Sequence, residues 1–267
     1  MKSNIASLAE PFEFIGTPNP IVQVILIHGF TASPTEVKPL GEYLFKQSDK
    51  NIVVRSILLP GHGVDGPEGY RALDNVKYTD WKQFVTTSIE TFANEYSCPV
   101  IVAGLSMGAV LTLYFLHSTI GQNQKYIAGI LLSPALSISN ILFPYVKYLK
   151  YLTKYTSKGK DSELFFQRHH LFSYPKRSLN ASDELRKLIS ETKPLIKDIT
   201  KPILSYTAES DDSVNIEKTN KFLETNTNII IKKMPKMGHI ITVYPESEQM
   251  FNEIYNWITS LPELQQK

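Results

Sequence analysis

Between residues 97 and 124 the chain carries no Asp, Glu, Lys or Arg. A stretch so free of charge belongs in a bilayer or in a protein core. Taken whole, residues 100–116 approach the length of a membrane-spanning helix. Pro99, Gly104, Ser106 and Gly108, however, divide it into a short β-branched run, VIVA, and a separate helical run. The stretch therefore reads as a buried strand, a tight turn and a buried helix.

The rest of the chain repeats that alternation. Apolar, β-branched runs at 22–27, 52–59, 100–103, 126–132, 203–207 and 229–234 read as strands, and 12–15 as an additional edge strand. Helical patterns occupy 35–47, 77–95, 107–118, 215–225 and 246–260. Several of these strands are continuously apolar, and their alternation with helices implies a mostly parallel sheet covered on both faces. The alternation fails once, between the strand ending near Leu132 and the one beginning at Ile203, a gap far longer than a usual crossover. Residues 182–199 read as the helix returning to the sheet, with Ser182 as its N-cap. The expected organisation is a core of residues 1–136 and 182–267 with a helical cap, or lid, insertion at 137–181.

A chain of 267 residues with 20 % charged residues and a net charge of +2 is an ordinary globular composition. The charge is too small to point to nucleic acid or a membrane as the main partner. The one cysteine, Cys98, excludes an intrachain disulfide and fits a reducing compartment. Residues 1–12 contain no apolar stretch of signal-peptide length, so cytoplasmic residence is the expectation.

The chemistry begins with Gly104-Leu105-Ser106-Met107-Gly108, a G-x-S-x-G sequence placed directly between a strand and a helix. A sharp turn there leaves little room for side chains and lifts the serine hydroxyl above the sheet, facing the helix N-terminus. His28-Gly29-Phe30-Thr31 ends the first strong strand, where a loop can aim a backbone N–H at a reacting oxygen. The N–H after the nucleophile, that of Met107, supplies a second such donor. His28 itself reads as shaping this loop. His239, just after the last strand, lies on the same rim of strand ends and reads as the general base. An acid must orient it, and Glu209, Asp211 and Asp212 all follow the strand ending near Thr207; spacing does not separate them.

Taken together, HGFTASP (28–34), LPGHG (59–63), Asp80-Trp81, GLSMG (104–108), the pattern Ala208-x-x-Asp211-x-x-Val214 and GHIIT (238–242) resemble the bacterial carboxylesterase and monoacylglycerol lipase branch of the α/β-hydrolases. The resemblance implies the α/β-hydrolase fold. It also implies Asp211 as the acid of a Ser106–Asp211–His239 triad, Phe30 and Met107 as oxyanion-hole donors, and His62 as a structural residue. The chain departs from the family in having Ala109 where a second glycine is common, and residues 137–179 match no family pattern.

In that segment, residues 141–158 fit one amphipathic helix starting near Pro144. At 100° per residue Lys147, Lys150, Lys154 and Lys158 fall within about 80° of arc. Ile141, Tyr145, Tyr148, Leu152 and Tyr155 occupy the opposite side, packed on the core or lining an acyl-chain pocket. Tyr145, Tyr148 and Leu152 are thus expected substrate contacts, and the lysines could meet anionic lipid transiently without stable insertion. His169 and His170 are adjacent but lack spaced metal-ligand partners, so no metal is expected.

The expected activity is hydrolysis of short- or medium-chain esters or monoacylglycerols through an acyl-enzyme, with no cofactor. A thioesterase or amidase would use the same triad; an idle fold serving as a ligand receptor would not need it.

Overall fold

A computed structural model of the chain describes residues 5–265. The first four residues of the segment read for a leader lie outside the described residues. In chain order the strands are β1 (Glu13–Phe14), β2 (Val22–Ile27), β3 (Ile52–Ile57), β4 (Val100–Leu105), β5 (Tyr126–Leu132), β6 (Tyr155–Ser157), β7 (Lys176–Ser178), β8 (Ile203–Ala208) and β9 (Ile229–Met234). The helices are α1 (Lys38–Gln47), α2 (Tyr78–Ala93), α3 (Met107–His117), α4 (Val146–Leu149), α5 (Lys160–Arg168), α6 (Leu179–Thr192), α7 (Ile216–Leu223), α8 (Ser247–Thr259) and α9 (Pro262–Gln265).

Seven strands form one sheet in the order β1-β3-β2-β4-β5-β8-β9, parallel except for the β1 edge. Every residue of β2, β3, β4, β5 and β8 is buried, whereas β9, on the other edge, has three of its six residues exposed. That contrast explains why the central strands are largely apolar, the buried Arg55 of β3 being paired with Glu13 and Glu95, and why β9 can carry Lys232 and Lys233. Side chains alternate between two cores. Val100 and Val102 face the Trp81, Leu111 and Leu188 side, and Ile101 and Ala103 face the Leu40, Leu44 and Ile254 side. Helix α3 is enclosed on nearly every side, only Tyr114 and His117 reaching partial exposure, which accounts for its lack of charge. Among the described residues no helix is long and apolar enough to cross a membrane.

The segment between β5 and α6 departs from expectation. Residues 141–158 do not form one helix. A 3₁₀ turn at Phe143–Tyr145 leads into the single turn of α4, and the chain then extends into β6. β6 pairs antiparallel with β7, Tyr155 opposite Ser178. Tyr155 also packs edge-on against Tyr70 and donates a hydrogen bond to Asp74. These non-local contacts draw Tyr155-Thr156, both good strand formers, out of the helical period. Helix α5 was not expected. Helix α6 begins before Ser182: Ser178 is its N-cap, accepting from the Ala181 N–H, and the Ser182 hydroxyl donates back to the Ser178 carbonyl.

The inner end of this segment is fastened to the sheet loops. Tyr174 N–H and the Ser173 hydroxyl both donate to the Thr31 carbonyl, at 2.9 and 3.2 Å. The Tyr174 hydroxyl accepts from Val64 N–H and donates to the Gly61 carbonyl. Its outer end stands free, with Ile141, Tyr151 and Leu152 each more than 80 % exposed.

Candidate active site

Ser106 closes the turn between β4 and α3 with φ of 57°, a left-handed value that costs a non-glycine residue energy. Two glycines make the turn possible. A Cβ on Gly104 would lie 2.2 Å from the Gly108 carbonyl, and one on Gly108 would lie 2.2 Å from the Ile27 carbonyl oxygen. Helix α3, β4 and β2 therefore approach more closely than any side chain allows. The turn leaves Ser106 Oγ at the C-terminal rim of the sheet, 8 % of the residue being exposed.

His239 and Asp211 reach the same point from the loops after β9 and β8. His239 Nε2 lies 2.8 Å from Ser106 Oγ, and Nδ1 lies 2.7 Å from Asp211 Oδ2. Of the three carboxylates after β8, only that of Asp211 is buried against the imidazole. Its second oxygen, Oδ1, accepts from the N–H groups of Ser213 and Val214, each at 2.9 Å. Those two bonds fix the carboxylate plane and explain the Asp-x-x-Val spacing. Asp212 turns outward to the Ser213 hydroxyl. Burial alone lowers the His239 pKa, but the hydrogen bond and charge of Asp211, with Glu36 and Asp212 beyond, raise it above 6.5.

The remaining motifs build the wall facing Ser106. His28 Nε2 accepts from Leu59 N–H, so its Nδ1 carries the proton and donates to the Gly29 carbonyl. Burial lowers its pKa to about 4 and keeps it neutral, a tie between loops. His62 is buried between the rings of His28, Phe30 and Trp81, and burial holds its pKa well below 6.5. Trp81 donates from Nε1 to the Pro60 carbonyl, and Asp80 accepts from Lys77 N–H at the start of α2. The Asp80-Trp81 pair thus caps a helix and pins the 59–63 loop. Phe30 N–H makes no backbone hydrogen bond among the described residues, and Met107, first in α3, has no intrahelical acceptor for its own.

Two residues of the site went unnoticed in the sequence. Glu36, 2 % exposed, accepts from Gly29 N–H at 3.0 Å, while its carbonyl accepts from the Thr242 hydroxyl. It thereby joins the 28–31 loop to the loop carrying His239. Ser33-x-x-Glu36 has the form of a helix capping box, which hides this longer reach. Burial pushes the Glu36 carboxyl up to about 7, against the pull of Gly29 N–H, His239 and Lys158. Lys158, grouped with the solvent-facing lysines by its helical spacing, instead turns inward and donates to the Ser173 hydroxyl.

Tyr145, Tyr148 and Leu152 are 56, 61 and 83 % exposed on the outer end of the segment after β5, and form no part of the wall around Ser106 in this conformation. His169 stacks near Phe165 and Tyr244. No group of three or more potential metal ligands occurs among the described residues.

The arrangement can take a proton from a hydroxyl and hold the resulting imidazolium, beside two N–H groups able to receive an oxyanion. The family described as serine aminopeptidase S33 matches residues 18–245. A carboxylesterase of Bacillus subtilis (strain 168) is 25 % identical over 256 residues, 94 % of this chain and 97 % of that protein. A thermostable monoacylglycerol lipase of Bacillus sp. (strain H-257) is 27 % identical over 214 residues, 79 % of this chain and 77 % of that one. In structure, a soluble variant of the monoglyceride lipase of Saccharomyces cerevisiae superposes with a TM-score of 0.78 at 16 % identity, over 100 % of this chain and 98 % of the yeast chain. This chain belongs to the serine aminopeptidase S33 family and is a hydrolase of the carboxylesterase and monoacylglycerol lipase branch of the α/β-hydrolases.

Proposed function

We propose that this protein is a serine esterase that cleaves carboxylic esters with short, medium or lipid-like acyl chains, monoacylglycerols among them. The observation that supports it most directly is the unbroken run Ser106–His239–Asp211, joined at 2.8 and 2.7 Å. Ser106 Oγ attacks the ester carbonyl as His239 Nε2 takes its proton. Asp211 keeps the imidazole proton on Nδ1 and stabilises the imidazolium. The oxyanion is received by the N–H groups of Phe30 and Met107, each worth roughly 2.7–4 kcal/mol in comparable sites. His239 then protonates the leaving alcohol, and a water activated the same way releases the acid. The reaction calls for no cofactor.

In this reading residues 137–181 are a cap over the site. Tyr145, Tyr148 and Leu152 belong to its exposed apolar end, with Lys147 and Lys154 alongside, and meet the acyl chain at a lipid surface before it enters. The contact is transient, and the protein resides in the cytoplasm. Amide cleavage is the second reading, favoured by the aminopeptidase description of the family. Against it stand Lys158 and Arg177 in the cap, whose charges repel the ammonium of a peptide N-terminus.

The test is hydrolysis of 4-nitrophenyl esters of increasing acyl length by wild type and Ser106→Ala. Turnover by wild type and a fall of about 10⁶-fold in the variant is the expected result. Equal activity in the variant, or folded wild type inert on every ester, would refute the proposal.

A further inference from the structure

Two cations of the inserted segment face inward without a counter-ion. Lys158, between β6 and α5, donates to the Ser173 hydroxyl and stands 5.0 Å over the Phe166 ring. Arg177 lies in β7, opposite Thr156. No carboxylate oxygen comes within 4.0 Å of either head group among the described residues. The nearest carboxylates acting on them are Glu36 for Lys158 and Asp212 for Arg177. Neither neutralises its cation. Glu36 spends its carboxylate on Gly29 N–H and lies beyond ion-pair distance, and Asp212 is exposed to screening water. His62, also within reach of Lys158, is neutral. Burial and repulsion from Arg177 press Lys158 down to about 7, and burial lowers Arg177. Cations desolvated and unpaired in this way cost stability, which an incoming anion offsets.

Lys158 also forms part of the wall of a cavity of about 240 Å³, with Ser162, Phe166, Gln167 and Ser173. Glu163, the one carboxylate in that wall, is exposed. Its wall sets these polar groups beside Phe166, Leu171 and Pro175, and pockets for whole ligands run to roughly 300–1,000 Å³. This cavity suits one end of a substrate. It adjoins the ester site: Ser173 and Tyr174 in its wall both donate to the carbonyl of Thr31, the residue after Phe30. Following those bonds, the Lys158 ammonium is on the order of 10 Å from the Phe30 N–H.

We propose that Lys158, backed by Arg177, is an anion subsite, and that the preferred ester carries a carboxylate or phosphate a few bonds from its scissile carbonyl. The proposal rests on the serine-esterase reading above and narrows its substrate class.

The test compares kcat/KM on matched anionic and neutral esters. One arm places the anion on the acyl side, with 4-nitrophenyl monoesters of succinate, glutarate and adipate against 4-nitrophenyl butyrate and valerate. The other places it on the alcohol side, with butyryl glycerol 3-phosphate against monobutyrin. In at least one arm the anionic-to-neutral ratio is expected to fall about tenfold or more in Lys158→Met, to fall less in Arg177→Met, and to persist in Lys158→Arg. Added salt lowers the wild-type ratio. A ratio unmoved by Lys158→Met in both arms overturns the subsite while neutral-ester turnover keeps the esterase reading. If folded wild type cleaves no ester of either kind, both fall. Should Lys158→Met fail to fold, a wild-type ratio indifferent to salt and to Arg177→Met overturns the subsite equally.

Discussion

Replacing Asp211 by Asn puts the proposed acid to a sharp test, because its surroundings dictate how the amide must sit. Asp211 Oδ1 accepts two backbone N–H groups, from Ser213 and Val214, and Oδ2 accepts from His239 Nδ1. An asparagine has one oxygen. With its NH₂ toward Ser213 and Val214 it would leave two donors unpaired, at about 1–3 kcal/mol each. The oxygen therefore stays with the backbone and the NH₂ faces His239. The imidazole must then accept at Nδ1 and carry its proton on Nε2, the nitrogen 2.8 Å from Ser106 Oγ. A protonated Nε2 cannot take the serine proton. The expected loss in kcat is on the order of 10⁴-fold, about 5.4 kcal/mol, with KM little changed. The assay is steady-state hydrolysis of 4-nitrophenyl butyrate across pH, with circular dichroism to verify folding. For wild type, kcat/KM should fall as pH drops through a His239 pKa above 6.5, since the imidazolium cannot act as base. Any residual activity in the variant should fall at lower pH, because the charge that raises that pKa is gone. Asp212→Asn and Glu209→Gln should remain near wild type. If Asp211→Asn kept activity within tenfold while Asp212→Asn lost it, the assignment of the acid would be wrong.

Gly108→Ala sets a methyl 2.2 Å from the Ile27 carbonyl oxygen and 2.8 Å from that of His28, both backbone atoms that cannot swing aside. A loss of at least about 3 kcal/mol, with esterase activity abolished, is expected by chemical denaturation and by assay; a variant of wild-type stability would contradict the close approach. Glu36→Gln keeps an acceptor for Gly29 N–H but removes the ionisation. A buried carboxyl raised to about 7 from 4.5 binds protons better folded than unfolded, so its contribution to stability falls as pH rises through that interval. The Tm of the variant minus that of wild type should grow from pH 5 to pH 7, and a flat difference would show that Glu36 titrates normally.

The sheet was legible because its strands are buried on both faces, which leaves residues such as 100–103 and 126–132 no choice but continuous apolarity. The turn that carries Ser106 was legible for a related reason: only glycine fits at 104 and 108, so the turn writes itself into the sequence. Which carboxylate meets His239 was not, since Glu209, Asp211 and Asp212 differ in where their chain points and not in chemistry. Residues 141–158 misled because a helical period in lysines and aromatics says nothing of a strand partner lying at 176–178. Lys158 was read as solvated for the same cause. Its destination is set by the Gly159 turn, at φ of 85°, and by Ser173. The reach of Glu36 to Gly29 is likewise a fact of tertiary folding.

The bonds of Ser173 and Tyr174 to Thr31, Val64 and Gly61 divide the insertion into parts with unequal freedom to evolve. While Val146 and the Lys150–Asp183 pair hold its outer end to α6, the exposed side chains there, Ile141, Tyr145, Tyr148, Tyr151 and Leu152, can drift or be exchanged without disturbing the chemistry beneath. The stretch at 172–175 cannot, because it supplies part of the lattice that shapes the loop after β2. A chimaera that imports another hydrolase's insertion whole, cut at 137 and 181, would carry away those bonds with it. Grafts intended to reprogram specificity should leave 171–178 native and replace only what lies upstream.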